Sequence, residues 1–468
     1  MTTPVVLSIY PPKYRVRAAP TGANFAGVEP DDKEPQLHRT SSQQSNAGEK
    51  TSFAIVLDKI EHLPVCMSLV TLLQPPPPLP IELPGVAGSS RPLHRVTRSA
   101  TIDALRLIEL SDRASAVMKS SAAEELLHTD PLLDVFKTYA ELNSFSITSS
   151  LAVVPHQQFA ESITEHAVNC ASHLVLLPWL PPFHPDRNDP TEMHSPGSPS
   201  TNPFEALFRA EQSQSKSNIH SLVVRNVFAR STVDVALFVD RPKAAPGAQR
   251  GHHLFLPFLG GPDDRLALNL VVQMCANPNV SAHIINYTMI EAENEPVHEV
   301  GSHKTEVEQL PTVFPDTIYG QPTTETRLES ETADNILWAR LTTTPTEHSL
   351  PHPPLVGSAL TRIQFTEAET ATPLRTILQS VAEGTEHATM TRTKFTTILG
   401  RSKRLAESHH QEITQILNEA HTAGMNFHAG AEIRKTVGDV AAAVVIAGAK
   451  TGLIVVQAAG HDGAIPML

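Results

Sequence analysis

The feature that most constrains this chain is the order of residue types in HLFLPFLGGPDDRLALNLVVQMC, residues 253–275. An apolar run without alternation stops at two glycines. Two aspartates follow, and then apolar residues at helical spacing. A short run apolar at every position predicts a strand buried on both faces, and such strands belong to parallel sheets covered by helices. Gly260 and Gly261 permit the sharp turn from strand to helix. In many α/β proteins that turn holds a phosphate at the helix N-terminus. Here Asp263 and Asp264 stand where the phosphate would sit.

The same alternation runs through most of the chain. Strands are expected at 52–60, 102–110, 145–154, 173–179 and 233–240, with helices at 61–73, 130–143, 157–170 and 219–230. Asp130 before Pro131 has the chemistry of a helix start. After a break at 241–251, strands are expected at 253–259, 280–290, 361–368, 394–400 and 452–458. The helices between them are expected at 263–275, 331–340, 372–382, 408–420 and 438–448. Within these, 53–57, 173–177, 254–258 and 395–399 are expected to be buried, parallel strands. The prediction is an α/β chain of two tandem domains, 51–245 and 250–460, each with a parallel sheet. With 39 prolines, long irregular segments are expected as well. These are a flexible lead-in over 1–50 and exposed, disordered insertions at 75–100, 181–217 and 291–330.

Composition excludes several functions. A formal net charge of -13 argues against a nucleic-acid partner, which requires a basic face. The 3 cysteines, Cys66, Cys170 and Cys275, lack the spacing of a disulfide framework or a zinc site, and no metal site is expected. No signal peptide is expected. The most membrane-like stretch, 440–460, carries Lys450 at its middle, which costs about 2.5–3.5 kcal/mol in a bilayer. A buried helix, a turn and a strand are expected there instead. No Gly-x-Ser-x-Gly, Walker loop or Gly-x-Gly-x-x-Gly is present, and no nucleophile–base set, so no enzyme is expected.

Three places carry candidate site residues. At the turn, Gly260 and Gly261 bend the chain and Asp263 or Asp264 is expected to cap the helix, with a ligand or cation site as the alternative. The second place is ILGRSKRLAESHH at 398–410. Gly400 ends a strand, and Arg401, Ser402, Lys403 and Arg404 follow within one turn. That set suits a phosphate or carboxylate, and equally a solvated basic helix start. The third is Asp58, at the end of the first strand. Strand-end carboxylates of α/β folds often face the ligand crevice, and a salt bridge with Lys59, His62 or an arginine is the ordinary alternative.

Several stretches together resemble the cytosolic C-terminal region of fungal potassium/proton antiporters of the cation:proton antiporter-2 family, with plant cation/proton exchangers as wider relatives. They include FAIVLDKIEHLPVCMSLVTLLQPPP, IDALRLIELSDRASAVMKSS, STVDVALFVDR, HHLFLPFLGGPDDRLALNLVVQMCANP, TRLESETADNILWAR and EIRKTVGDVAAAVVIAG, within about 53–457. The start, MTTPVVLSIYPPKYR, resembles the juxtamembrane segment of that family. The resemblance implies two universal-stress-protein-like (Rossmann-like) domains that regulate an attached potassium/proton antiporter from the cytosolic face of an endomembrane or the plasma membrane. It implies a membrane antiporter domain as partner, absent from this chain, and a homodimer. The chain alone is then expected to be soluble and not to move ions. The residues themselves call for no cofactor. An adenine nucleotide is the candidate that the resemblance brings, with a free nucleotide-binding sensor as the alternative function. The nucleotide motif of universal stress proteins, Gly-x2-Gly-x9-Gly-Ser/Thr, is not met, because the next glycine after Gly400 is Gly424. Asp58 falls where such proteins often keep an adenine- or ribose-side aspartate.

Overall fold

The computed structural model describes residues 15–17, 49–74, 100–110, 123–179, 219–239, 251–290, 327–343, 352–401, 406–422 and 427–459. Most of the expected lead-in and of the three insertions lies outside them. The described chain forms two compact units that divide between Leu174 and Val175.

The first unit contains β1 (Arg15–Arg17), β2 (Ser52–Leu57), β3 (Thr101–Glu109) and β4 (Ser146–Val154), in the order β1-β4-β3-β2. β2, β3 and β4 are parallel, and the short β1 is antiparallel to β4. β1 was not expected, because three residues of an edge strand carry no periodicity. Phe53 to Leu57 are all buried, so both faces of β2 are covered. Helix α1 (Leu63–Leu73) packs with α3 (Pro131–Leu142), where the Tyr139 hydroxyl donates to the Met67 carbonyl at 2.8 Å. Helix α4 (Phe159–Asn169) lies against β2 and β3, and a short helix, α2 (Ala123–Thr129), precedes α3. Asp130 caps α3 as its sequence predicts: one carboxylate oxygen accepts from Leu132 N and Leu133 N at 3.0 and 3.1 Å. Its other oxygen takes Arg106 Nε at 3.1 Å.

The second unit holds all but the first residue of β5 (Leu174–Pro178), together with β6 (Asp234–Val239), β7 (His252–Phe258), β8 (Val280–Met289), β9 (Ile363–Thr370), β10 (Lys394–Gly400) and β11 (Gly452–Gln457). Their order is β5-β6-β11-β10-β7-β8-β9. The run β9-β8-β7-β10-β11 is parallel throughout. β6 departs from the expected parallel arrangement, because it pairs antiparallel with β11. That pairing is also why β6, read from the sequence with the domain at 51–245, lies in the second unit. The expected buried runs 254–258 and 395–399 are buried and parallel to their neighbours, and Leu174–Pro178 is buried along its length.

The helices of this unit are α5 (219–230), α6 (Pro262–Met274), α7 (Arg327–Thr342), α8 (Pro354–Leu360), α9 (Pro373–Thr391), α10 (Ala406–Thr422), α11 (Phe427–Val437) and α12 (Asp439–Ile446). α6 crosses the ends of β7, β10 and β11. Over its described residues, 440–459, the stretch expected as a buried helix, turn and strand is that. No helix among the described residues is long and apolar enough to cross a membrane.

Asp130 gives the first test. Asp130→Ala removes both the cap and the partner of half-buried Arg106. It should cost about 2 kcal/mol, the upper end for a lost cap, measured by urea unfolding. A loss no larger than that of an ordinary surface substitution would contradict the assignment.

Candidate functional site

In the second unit the strand order reverses between β7 and β10. Open α/β sheets bind ligands outside the carboxyl ends of the strands at such a reversal. Five of the sequence candidates, Gly260, Gly261, Asp263, Asp264 and Gly400, meet there. β7 runs into Leu259, Gly260 and Gly261, and β10 ends at Gly400. Gly261 is the N-terminal flank of α6 with φ 98°, a left-handed conformation that glycine tolerates best.

The two aspartates are buried at the centre of this crevice, Asp263 at 3% and Asp264 at 0% relative exposure. They lie in the first turn of α6, whose flanking residue Gly261 has no side chain to cap it. Their carboxylates reach across to strand ends instead. Asp264 Oδ2 accepts from Leu259 N at 2.8 Å and Asp264 Oδ1 from Gly400 N at 3.1 Å. Asp263 Oδ1 accepts from Ala458 N, just past β11, at 2.8 Å. One turn of helix thus ties the ends of β7, β10 and β11 together. Gly400 is required by this closeness: a Cβ there would fall on Asp264 Oδ1 and lie 2.9 Å from Asp263 Cβ.

A third carboxylate completes the arrangement. Asp334, on α7, takes Gly261 N on Oδ2 at 2.8 Å and Arg265 Nη1 on Oδ1 at 2.6 Å. Ser330, Asp334 and Trp338 recur every four residues and so share one face of α7. Ser330 Oγ accepts from Arg265 Nη1 at 2.9 Å. Trp338 stacks on Phe258, with ring centroids 5.8 Å apart, and meets Phe365 edge-on at 5.4 Å. The aromatic contacts anchor α7 over the sheet and aim Asp334 at the glycine turn. The sequence marked the helix but not this role, because its partners lie some seventy residues earlier in the chain.

Arg401 is placed differently from the anion-binding expectation. It is buried at 5% exposure, and its guanidinium lies 4.5 Å above the Phe228 ring. Nε and Nη2 donate to the carbonyls of Thr436 and Lys435 at 3.0 and 3.2 Å, and Nη1 donates to Gln457 Oε1 at 2.6 Å. Those carbonyls end α11, so the cation sits at the favourable end of a helix dipole. The structure commits Arg401 to packing. Ser402, Lys403 and Arg404 lie outside the described residues.

Asp58 is at the carboxyl end of β2 in the first unit. Its Oδ1 is 2.6 Å from His62 Nδ1, the ordinary partner among those weighed. Arg106 Nη1 donates to the carbonyls of Leu57 and Asp58 at 3.1 and 2.8 Å. Among the described residues no group of three His, Cys, Asp or Glu side chains could hold a metal ion. Burial pushes the Cys66 and Cys275 thiols up to about 12, which leaves both protonated and unreactive at neutral pH.

Residues 102–199 match the family model described as a plant cation/H(+) antiporter domain. The chain is similar to Cation/H(+) antiporter 17 of Arabidopsis thaliana, 21% identical over 305 residues. It is also similar to Cation/H(+) antiporter 15 of the same plant, 25% identical over 231 residues. The first alignment covers 61% of this chain and 30% of the relative, the second 46% and 25%. The chain therefore spans less than a third of the length of these relatives. Among solved structures, a universal stress protein from Archaeoglobus fulgidus aligns with TM-score 0.37 at 11% identity, covering 88% of this chain and 97% of its own. The cytoplasmic domain of a prokaryotic cation chloride cotransporter aligns with TM-score 0.36 at 10% identity, over the same shares.

Substitutions in the crevice test its structural role. Asp264→Asn keeps the shape but sets an amide N–H against a backbone N–H. It should cost about 1–3 kcal/mol, the penalty for a buried group left without its hydrogen bond. Gly400→Ala should destabilise at least as much, through the clash with Asp264. Near-wild-type thermal unfolding of both variants would contradict the geometry.

Proposed function

We propose that this chain is a non-enzymatic regulatory region of a monovalent cation/proton antiporter, with potassium as the transported ion. In this reading the chain acts from the cytosolic face of an endomembrane or the plasma membrane. It modulates an antiporter domain that lies outside this sequence, and it works as a homodimer. The observation that carries the proposal is the match of residues 102–199 to the plant cation/H(+) antiporter domain. That span runs from β3 to β5 and so includes α/β elements of this fold rather than a linker. The similarity to two Arabidopsis cation/H(+) antiporters extends it over 61% and 46% of the chain.

The alternative, a free nucleotide-binding sensor, has less support. At the crossover of the second unit the backbone N–H groups of Leu259, Gly261, Gly400 and Ala458 are already taken by Asp264, Asp334 and Asp263. A nucleotide phosphate would have to displace carboxylates and would be repelled by those it left in place.

Transport in liposomes tests the proposal. The membrane domain of a cation/proton antiporter of the matched kind is reconstituted with and without this chain fused behind it. Potassium-driven proton flux, read with a pH dye, should differ several-fold between the two. This chain alone should give no flux above empty vesicles. Equal flux with and without the chain would remove the regulatory reading, and flux from the chain alone would make it a transporter.

A further inference from the structure

Three histidines occupy the amino-terminal part of the parallel sheet in the second unit. Each ring is hydrogen-bonded to a hydroxyl of the neighbouring strand. His252 Nε2 of β7 is 2.8 Å from Thr396 Oγ1 of β10. His253 Nδ1 of β7 is 2.9 Å from Ser281 Oγ of β8. His283 Nε2 of β8 is 2.9 Å from Thr366 Oγ1 of β9. Every seam of the four-strand set β10-β7-β8-β9 therefore carries one histidine–hydroxyl clip. The rings also belong to the core: His253 stacks on Phe395 with centroids 6.0 Å apart, and His283 lies 6.2 Å from Phe255. All three are half-buried.

The charged groups that act on His252 and His253 are of one sign. Lys394 of β10 and His253 act on His252, and His283 together with His387 of α9 acts on His253. Glu383 of α9 acts on Tyr287, further along β8. From β9 the face presents the uncharged Gln364 and Thr366.

We propose that the β7–β10 portion of the second unit is a proton-sensitive element, closed while His252, His253 and His283 are neutral and loosened when they take up protons. The proposal does not depend on the antiporter reading. His252 and His253 are consecutive and point to opposite faces of β7. A proton on His252 sets a cation beside Lys394, its register partner on β10, while protons on His253 and His283 set two cations on one face of adjacent strands, in both cases in partly desolvated surroundings. Burial lowers all three histidines, His252 down to about 3. The sign follows. A group whose folded value is lowered contributes full stability above its unfolded value of 6.5, and this contribution is lost as pH falls below it. One such histidine raises the opening equilibrium by up to about tenfold per pH unit in that window.

Amide hydrogen exchange on the whole chain between pH 7.5 and pH 5.0 tests the proposal. Protection factors in β7, β8, β9 and β10 should fall by about tenfold or more, while those of β2, β3 and β4 hold. The variant with His252→Gln, His253→Gln and His283→Gln, which keeps polar partners but cannot charge, should lose the difference. If that variant does not fold, the imidazole resonances of the wild-type chain decide: all three should titrate below 6.5. Unchanged protection in β7–β10, an equal loss in both units, or three histidines titrating at 6.5 in the folded chain would overturn the proposal.

Discussion

The second unit depends on buried carboxylates that accept backbone N–H groups at the ends of its strands. Burying an ionised aspartate is costly unless its oxygens are hydrogen-bonded. Asp264, at 0% exposure, meets that condition with Leu259 N and Gly400 N, and Asp263 with Ala458 N. Both also lie in the first turn of α6, where the helix dipole favours negative charge. The rest of the crossover follows from these contacts. Gly400 must lack a side chain, α6 must span three strands, and the glycine turn must present Gly261 N to a third carboxylate. The phosphate position inferred from the glycine turn is filled by the chain itself.

The same device recurs elsewhere. Asp130 satisfies two amides of α3 and pairs with Arg106. Glu412 of α10, buried at 7% exposure, accepts from Leu374 N and Arg375 N at 3.0 and 2.7 Å and so closes the N-terminus of α9. α9 has no side-chain cap of its own. An acidic chain with a net charge of -13 uses part of its acid inward, as fixed anions at helix starts and strand ends. Sites arranged in this way favour a packed scaffold over an open anion pocket.

Much of the fold was legible in the sequence because buried strands leave continuous apolar runs. β2, β7, β10 and β11 were readable for that reason, as was the Asp130–Pro131 helix start. The shortest helices were not: α2 and α8, of 7 residues each, lack enough turns to establish a period. α9 extends beyond the expected 372–382 because Gly384, which normally weakens a helix, packs beneath Phe395. The crevice was half legible. Gly260, Gly261, Asp263, Asp264 and Gly400 could be singled out locally. Their mutual contacts join residues well over a hundred positions apart, and no local pattern records them. Arg401 shows the limit most clearly. A basic residue after a strand-end glycine looks like an anion ligand, yet its direction was set by Phe228, Gln457 and the carbonyl end of α11.

The central claim is that the crossover crevice is occupied by the chain's own carboxylates. The most direct measurement is of the amide resonances of Leu259, Gly261, Gly400 and Ala458 in the whole chain, titrated with ATP and separately with inorganic phosphate. The account predicts that these four amides stay at fixed positions through millimolar additions, because their acceptors are covalently part of the protein. Saturable shifts of the four amides together, with either compound, would contradict it.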